Sequence, residues 1–142
     1  MIVYCAVPIR GEKTYENYFK EIIEHINSLG HTALSELNSD FKSAVPLTDS
    51  EIFTRDIKWI NKSDLLIAEV SGASTGVGFE IAYALYTKEI PVLALGSKEA
   101  GDNVSAMING CNAQMITIKK YEDSNELKKV ISDFIKKNDG KS

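Results

Sequence analysis

The chain has 142 residues, a formal net charge of −4, an apolar fraction of 44% and a charged fraction of 25%. That balance describes one soluble globular domain over residues 1–142, with material for a full hydrophobic core. It excludes a nucleic-acid surface, for want of positive charge, and a membrane span, for want of an apolar run of ~18 residues. Met1 to Ile9 lacks the basic start and cleavage site of a signal peptide, so the cytoplasm is the expected location.

Ile2 to Val7 is β-rich and apolar and predicts a central strand, ended by Pro8 and followed by a loop through Glu12. Apolar residues at 15, 18, 19, 22, 23, 26 and 29 give helical spacing from Tyr15 to Leu29, and Gly30 stops the helix. His31 to Leu37 reads as a second strand and Asn38 to Leu47 as a polar loop. Thr48-Asp-Ser-Glu51 is a capping-box pattern that starts a helix running to about Asn61. Asp64 to Val70 reads as the third strand, an apolar run with one Glu in it, and Gly76 to Lys88 as a helix apolar on nearly every side. Pro91 to Leu95, closed by Gly96, is a fourth strand; Asn103 to Asn109 a short helix; Gln114 to Ile118 a fifth strand. Asp123 caps a last helix to about Lys137, and the tail from Asn138 to Ser142 is expected to fray.

Strands that are apolar runs, alternating with helices, mark a parallel sheet covered on both faces. The expected fold is three-layer α/β/α with a five-stranded parallel sheet, flavodoxin- or Rossmann-like, in the order 2-1-3-4-5. Chemistry in such a sheet belongs outside the carboxyl ends of the strands, at the switch point between the first and third. Cys5 and Cys111 lie far apart in apolar contexts and read as buried free thiols, with no disulfide or metal framework.

Glu80 is the leading candidate for chemistry. A carboxylate in the first turn of an apolar, buried helix is costly unless it is paired, hydrogen-bonded or functional, and the helix dipole there favours it. Its plain alternative is a structural carboxylate bonding loop amides. Asp56 interrupts the stripe Ile52, Trp59, Ile60 on the preceding helix, and two carboxylates reaching one pocket suit glycosidic chemistry. The segment Gly72-Ala-Ser-Thr-Gly-Val-Gly78 is neither a phosphate loop, since no Lys follows the glycines, nor a dinucleotide fingerprint. Its glycines can simply let the backbone turn tightly; with Ser71, Ser74 and Thr75 and a helix N-terminus, the segment can also cradle an anion or sugar. Tyr4 and Arg10, at or near the end of the first strand, and Ser105, near a short helix, complete the candidates, although each has an ordinary structural reading.

The set Tyr4, Ile9-Arg10-Gly11, Arg55-Asp56 with Trp59, Ser74-Thr-Gly76-Val-Gly78-Phe-Glu80 and Ser105-Ala-Met107-Ile108, in this order, resembles the 2′-deoxynucleoside 5′-monophosphate N-hydrolases of the nucleoside 2-deoxyribosyltransferase superfamily. The resemblance covers Ile2 to about Phe134. It implies hydrolysis of the N-glycosidic bond of a nucleotide to free base and (deoxy)ribose 5-phosphate. Glu80 would attack C1′ and form a glycosyl-enzyme intermediate, Asp56 would help protonate the leaving base, and Tyr4 would orient Glu80. Ile9, Arg10, Gly11, Ser74, Gly76, Gly78, Ser105 and Met107 would hold the substrate, chiefly its 5′-phosphate. It also implies a homodimer in which Ser105 comes from the partner subunit, with no metal or organic cofactor and no nucleic-acid or membrane partner. Three positions depart from the family pattern: Pro8 stands for a usual Ser, Leu37 for a common His and Phe79 for a usual Tyr. A deoxyribosyltransferase that exchanges bases and a non-catalytic nucleotide sensor on the same fold are the alternatives.

Overall fold

The computed structural model describes residues 1–11 and 14–140. Five parallel strands, β1 (Ile2–Ala6), β2 (Thr32–Leu34), β3 (Leu65–Glu69), β4 (Val92–Ser97) and β5 (Ile116–Tyr121), lie in the order β2-β1-β3-β4-β5. The helices are α1 (Glu16–Ser28), α2 (Asp49–Lys62), α3 (Thr75–Tyr83), α4 (Ala106–Asn109) and α5 (Ser124–Asn138). The expected strand order and three-layer architecture are therefore the observed ones.

Strand alternation divides the core into two layers. Val3, Cys5, Leu65, Ile67, Leu93 and Leu95 face one way, beneath Ile22, Ile23 and Ile26 of α1 and Leu127, Ile131 and Ile135 of α5. Tyr4, Ala6, Leu66, Ala68, Val92 and Ala94 face the other way, beneath Ile60 of α2 and Val77 and Ile81 of α3. Burying each aliphatic side chain contributes roughly 1.5–3 kcal/mol before the entropy of ordering it. Tyr4 stands opposite Leu34 on one side and Leu66 on the other, so β1 is bonded along both edges. The chain order reverses between β1 and β3, which opens a crevice at their carboxyl ends.

The capping box holds α2: Glu51 N–H donates to Thr48 Oγ1 at 3.2 Å, and Thr48 N–H donates back to Glu51 Oε1 at 3.0 Å. Asp123 caps α5 through Glu126 N–H at 2.9 Å.

Several boundaries differ from expectation, each for a local reason. Strand β2 stops at Leu34 rather than Leu37, because the Ser35 side chain accepts from Leu37 N–H and its carbonyl from Asn38 N–H, turning the chain. Gly96 does not close β4; Gly96 and Ser97 stay in register with Lys120 and Tyr121, which carries β5 to Tyr121 and delays its start to Ile116. The expected helix from Asn103 is a 3-10 turn over Lys98–Asn103 followed by α4, with Ser105 as N-cap. After Tyr83, α3 continues as one π turn over Ala84–Lys88, and Glu89 reverses the chain at φ 57°.

Helix α3 is not buried all round: Phe79 is 54% and Tyr86 67% exposed. Both cysteines are free, but only Cys5 is buried, its thiol pushed up to about 12 by desolvation; Cys111 is partly exposed. Order continues through Asn138, whose amide bonds Phe134 O, and Asp139 N–H bonds Ile135 O at 2.8 Å. Lys141 and Ser142, at the end of the expected frayed tail, and Glu12, at the expected end of the first loop, lie outside the described residues. Among the described residues, no helix is long and apolar enough to cross a membrane.

Candidate active site

Three elements bring Tyr4, Asp56 and Glu80 together. Tyr4 is buried in β1, and its hydroxyl donates a hydrogen bond to Glu80 Oε2. Asp56 projects from α2 into the same polar cleft, which is also lined by Ser35, Glu36 and Arg55 and holds only about 30 Å³. Glu80 lies in the second turn of α3, not the first, since Ser74 is the N-cap and Thr75 the first helical residue. The helix-terminal field fades within one turn, so Tyr4 rather than the dipole is the partner of this carboxyl.

The electrostatics follow from burial. Desolvation pushes the Glu80 carboxyl up to about 8; the nearby Asp56 adds to the rise, while the Tyr4 hydrogen bond and Arg55 oppose it. Asp56 is also raised by burial, against the pull of the Arg55 hydrogen bond and charge. Tyr4 is held well above the ordinary phenol range, by burial first and then by the charges of Glu80 and Asp56, so it remains a donor.

Arg55 organises the cleft from behind. Its Nε donates to Asp56 Oδ1 at 2.9 Å, its Nη2 lies 3.7 Å from Glu36 Oε2, and its guanidinium sits 4.7 Å over the Trp59 ring. Arg55 Nη1 is the one buried side-chain nitrogen or oxygen without a hydrogen-bond partner among the described residues. Glu36 and Arg55 do not stand out in the sequence as site residues. Arg55 precedes Asp56, which disguises it as an ordinary helix-surface cation, and Glu36 falls inside the expected span of a strand that in fact ends at Leu34.

A groove of about 670 Å³ opens from this cleft. It is lined by Asp56 and Glu80, by Ser74, Thr75 and Gly76 with Ile9 and Arg10, and by the apolar Ile52, Phe53, Ile57 and Phe79. Pro46 and Leu47, from the loop expected over Asn38 to Leu47, also line it. Arg10 is largely exposed and pairs with Asp49 at 3.0 Å. Ser74 Oγ caps α3 by accepting from Val77 N–H at 3.2 Å.

Gly11 lies beside this groove for a steric reason: a Cβ there would stand 2.5 Å from the Ala73 carbonyl oxygen, so the loop after β1 and the loop after β3 touch backbone to backbone. Gly11→Ala is expected to push the two loops apart and raise the KM for a substrate bound in the groove about tenfold, with a smaller change in kcat, as steady-state kinetics would show. Gly76 and Gly78 need no special backbone angle and meet no crowding where a Cβ would stand, so tight turning does not explain them.

Gly78, Ser105 and Met107 are not beside Glu80. They line a second groove, of about 410 Å³, along another face of α3, and Ser74 and Val77 line both grooves. Ser105 caps α4 there, and Met107 is 85% exposed. Within one chain, the expected site is thus split between two grooves.

Comparison with known proteins fits this geometry. The family profile described as nucleoside 2-deoxyribosyltransferase matches residues 3–125. A protein of Thermofilum pendens named "Putative 2'-deoxynucleoside 5'-phosphate N-hydrolase 1" is 38% identical over 128 residues, covering 89% of this chain and 89% of its own. A protein of Esox lucius named 5-hydroxymethyl-dUMP N-hydrolase is 28% identical over 142 residues, covering 96% and 97%. Among solved structures, a CMP N-glycosidase of Clostridium botulinum superposes with a TM-score of 0.70 at 18% identity, covering 94% of this chain and 99% of its own, a likeness of fold. With its profile match, its relatives and its sheet order in agreement, the chain belongs to the nucleoside 2-deoxyribosyltransferase family.

Proposed function

We propose that the protein hydrolyses the N-glycosidic bond of (2′-deoxy)nucleoside 5′-monophosphates, releasing the base and (deoxy)ribose 5-phosphate. The observation that carries this reading is that Glu80 and Asp56 line one groove together with the N-terminus of α3. The names of the relatives support the choice of a phosphorylated substrate and of water as acceptor.

In this reading the one proton that the buried Glu80–Asp56 pair retains sits on Asp56, and Glu80, as the carboxylate held by the Tyr4 hydroxyl, attacks C1′ as the bond to the base breaks. The developing oxocarbenium charge is offset by the carboxylate, and Asp56 delivers a proton to the departing base. Water then displaces Glu80 from C1′, with Asp56 taking up the proton. The 5′-phosphate lies against Ser74 and the free N–H groups of the first turn of α3, with Arg10 at the rim. Phosphate binding far from the reacting bond fixes the sugar over Glu80 and lowers the barrier through orientation.

The reading includes a homodimer with shared sites. Phe79, Tyr86 and Met107 expose apolar surface around α3 and α4, the kind of patch that a second subunit covers. Ser105 and Met107, which line the second groove in one chain, then complete the partner's groove.

The test is base release, followed by chromatography, from a panel of deoxy- and ribonucleoside monophosphates and nucleosides, with and without an acceptor base. Release from monophosphates without acceptor is expected. Turnover only with an acceptor base would make the protein a deoxyribosyltransferase, and no turnover of any member would remove the hydrolase reading for this panel. Glu80→Ala is expected to abolish release; full activity in that variant would remove the nucleophile.

A further inference from the structure

A second carboxylate is buried more deeply than the pair in the groove and takes no part in it. Glu69, the last residue of β3, is 0% exposed. By strand alternation it points away from Glu80, toward the layer of α1 and α5 that Leu65 and Ile67 also face. Its Oε1 accepts from Ser71 N–H at 2.6 Å, and its Oε2 accepts from the Ser71 hydroxyl at 3.0 Å and from the Tyr121 hydroxyl. Ser71 Oγ in turn accepts from Ser97 N–H at 2.7 Å. These bonds link the carboxyl ends of β3, β4 and β5 through two side chains, Glu69 to Tyr121 and Ser71 to Ser97.

A buried carboxylate is an expensive way to join strands, because a well-packed apolar pair in the same volume is often as stable or more so. What distinguishes this one is the element it restrains. Both of its Ser71 bonds grip the first residue of the loop that delivers Ser74 to the start of α3, and the backbone of that loop is the surface against which Gly11 packs.

We propose that Glu69 is a positioning residue for substrate binding: acting through Ser71, it fixes the Ser71–Ser74 loop in the geometry that receives the 5′-phosphate. The inference rests on the phosphate lying at that loop, as in the function proposed above. Burial raises the carboxyl of Glu69, and the hydrogen bonds from Tyr121 and Ser71 offset that rise only in part. Tyr121 anchors it from the opposite side, where its ring meets Tyr18 edge-on at 4.9 Å.

The test compares Glu69→Gln, Ser71→Ala, Tyr121→Phe and Ser74→Ala in steady-state base release from a monophosphate, each assayed well below its own melting temperature. Glu69→Gln and Ser71→Ala are expected to raise KM about tenfold with kcat changed less than about threefold, because orientation of a remote group is lost while the reacting carboxyls stay in place. Tyr121→Phe removes a Glu69 bond but leaves both Ser71 bonds, so its KM is expected to stay within about twofold even if its melting temperature falls. The inference is overturned if Tyr121→Phe raises KM as much as Glu69→Gln does, or if Glu69→Gln and Ser71→Ala lower kcat with KM unchanged. Should Glu69→Gln fail to fold, Ser71→Ala decides the matter by the same criterion. Ser74→Ala separates the role of Glu69 from the phosphate site itself. An unchanged KM there removes the phosphate placement, whereas a raised KM with normal Glu69→Gln and Ser71→Ala removes only the role of Glu69.

Discussion

Glu80→Gln is expected to abolish base release and, at the same time, to stabilise the protein, by an amount that grows with pH. The Glu80 carboxyl has an ordinary value of 4.5 and is pushed up to about 8 in the fold. Between those values the folded state holds a proton that the unfolded chain has released. The folded protein therefore has its full relative stability from this group below about pH 4.5 and loses it as pH rises to 8. Above that, the burial of charge costs at most roughly 5 kcal/mol, since every tenfold change in proton affinity corresponds to about 1.4 kcal/mol. Glutamine is close in shape and never ionises, and its carbonyl oxygen can accept the Tyr4 hydrogen bond. Melting curves of both proteins from pH 5 to pH 9 should diverge steadily up to about pH 8, reaching a difference on the order of 10 °C, with the variant the more stable. Parallel curves would mean that Glu80 is not held in a desolvated site.

The second large effect concerns subunit sharing. In the proposed homodimer with shared sites, Glu80→Ala lacks the proposed nucleophile and Ser105→Ala the proposed substrate contact, so each is expected to be poorly active. Mixed after reversible dissociation, the two variants should regain about a quarter of wild-type activity: half of the dimers are hybrids, and each hybrid has one intact site and one doubly damaged site. The reason is geometric, since Ser105 and Glu80 line different grooves along α3. Activity of the mixture equal to the average of the two variants alone would place both groups in one subunit's site, or make Ser105 irrelevant.

Much of this was legible in the sequence because it rests on local rules. The apolar strand runs, the Thr48 and Asp123 caps and the helical spacing of Tyr15 to Leu29 all report short-range physics, and they sufficed for the sheet order. Asp56 and Glu80 stood out because each interrupts an apolar pattern, Tyr4 gained its role only from the family resemblance, and the fold brings the three together. What could not be read depends on contacts distant in the chain. The exposure of Phe79 and Tyr86 contradicts the burial that an apolar helix suggests, because α3 covers the sheet with only one face. The late end of β5 is set by its partner β4, whose strand runs through Gly96. Glu36 and Arg55 carry ordinary surface chemistry in the sequence and become part of the site only because α2 lays Arg55 between Trp59, Asp56 and Glu36.

The seat of Tyr4 in β1 has a consequence for how the protein fails. β1 is hydrogen-bonded to β2 and β3 on its two sides and sheltered by helices on both faces. Such a strand is among the last segments to open in the native ensemble, whereas the exposed loop around Arg10 opens at much smaller cost. Local fluctuations can therefore reshape the rim of the groove without releasing the hydroxyl that holds Glu80. Binding is left adaptable while the reacting carboxyl stays anchored until the whole domain melts, so heat inactivation and global unfolding share one transition.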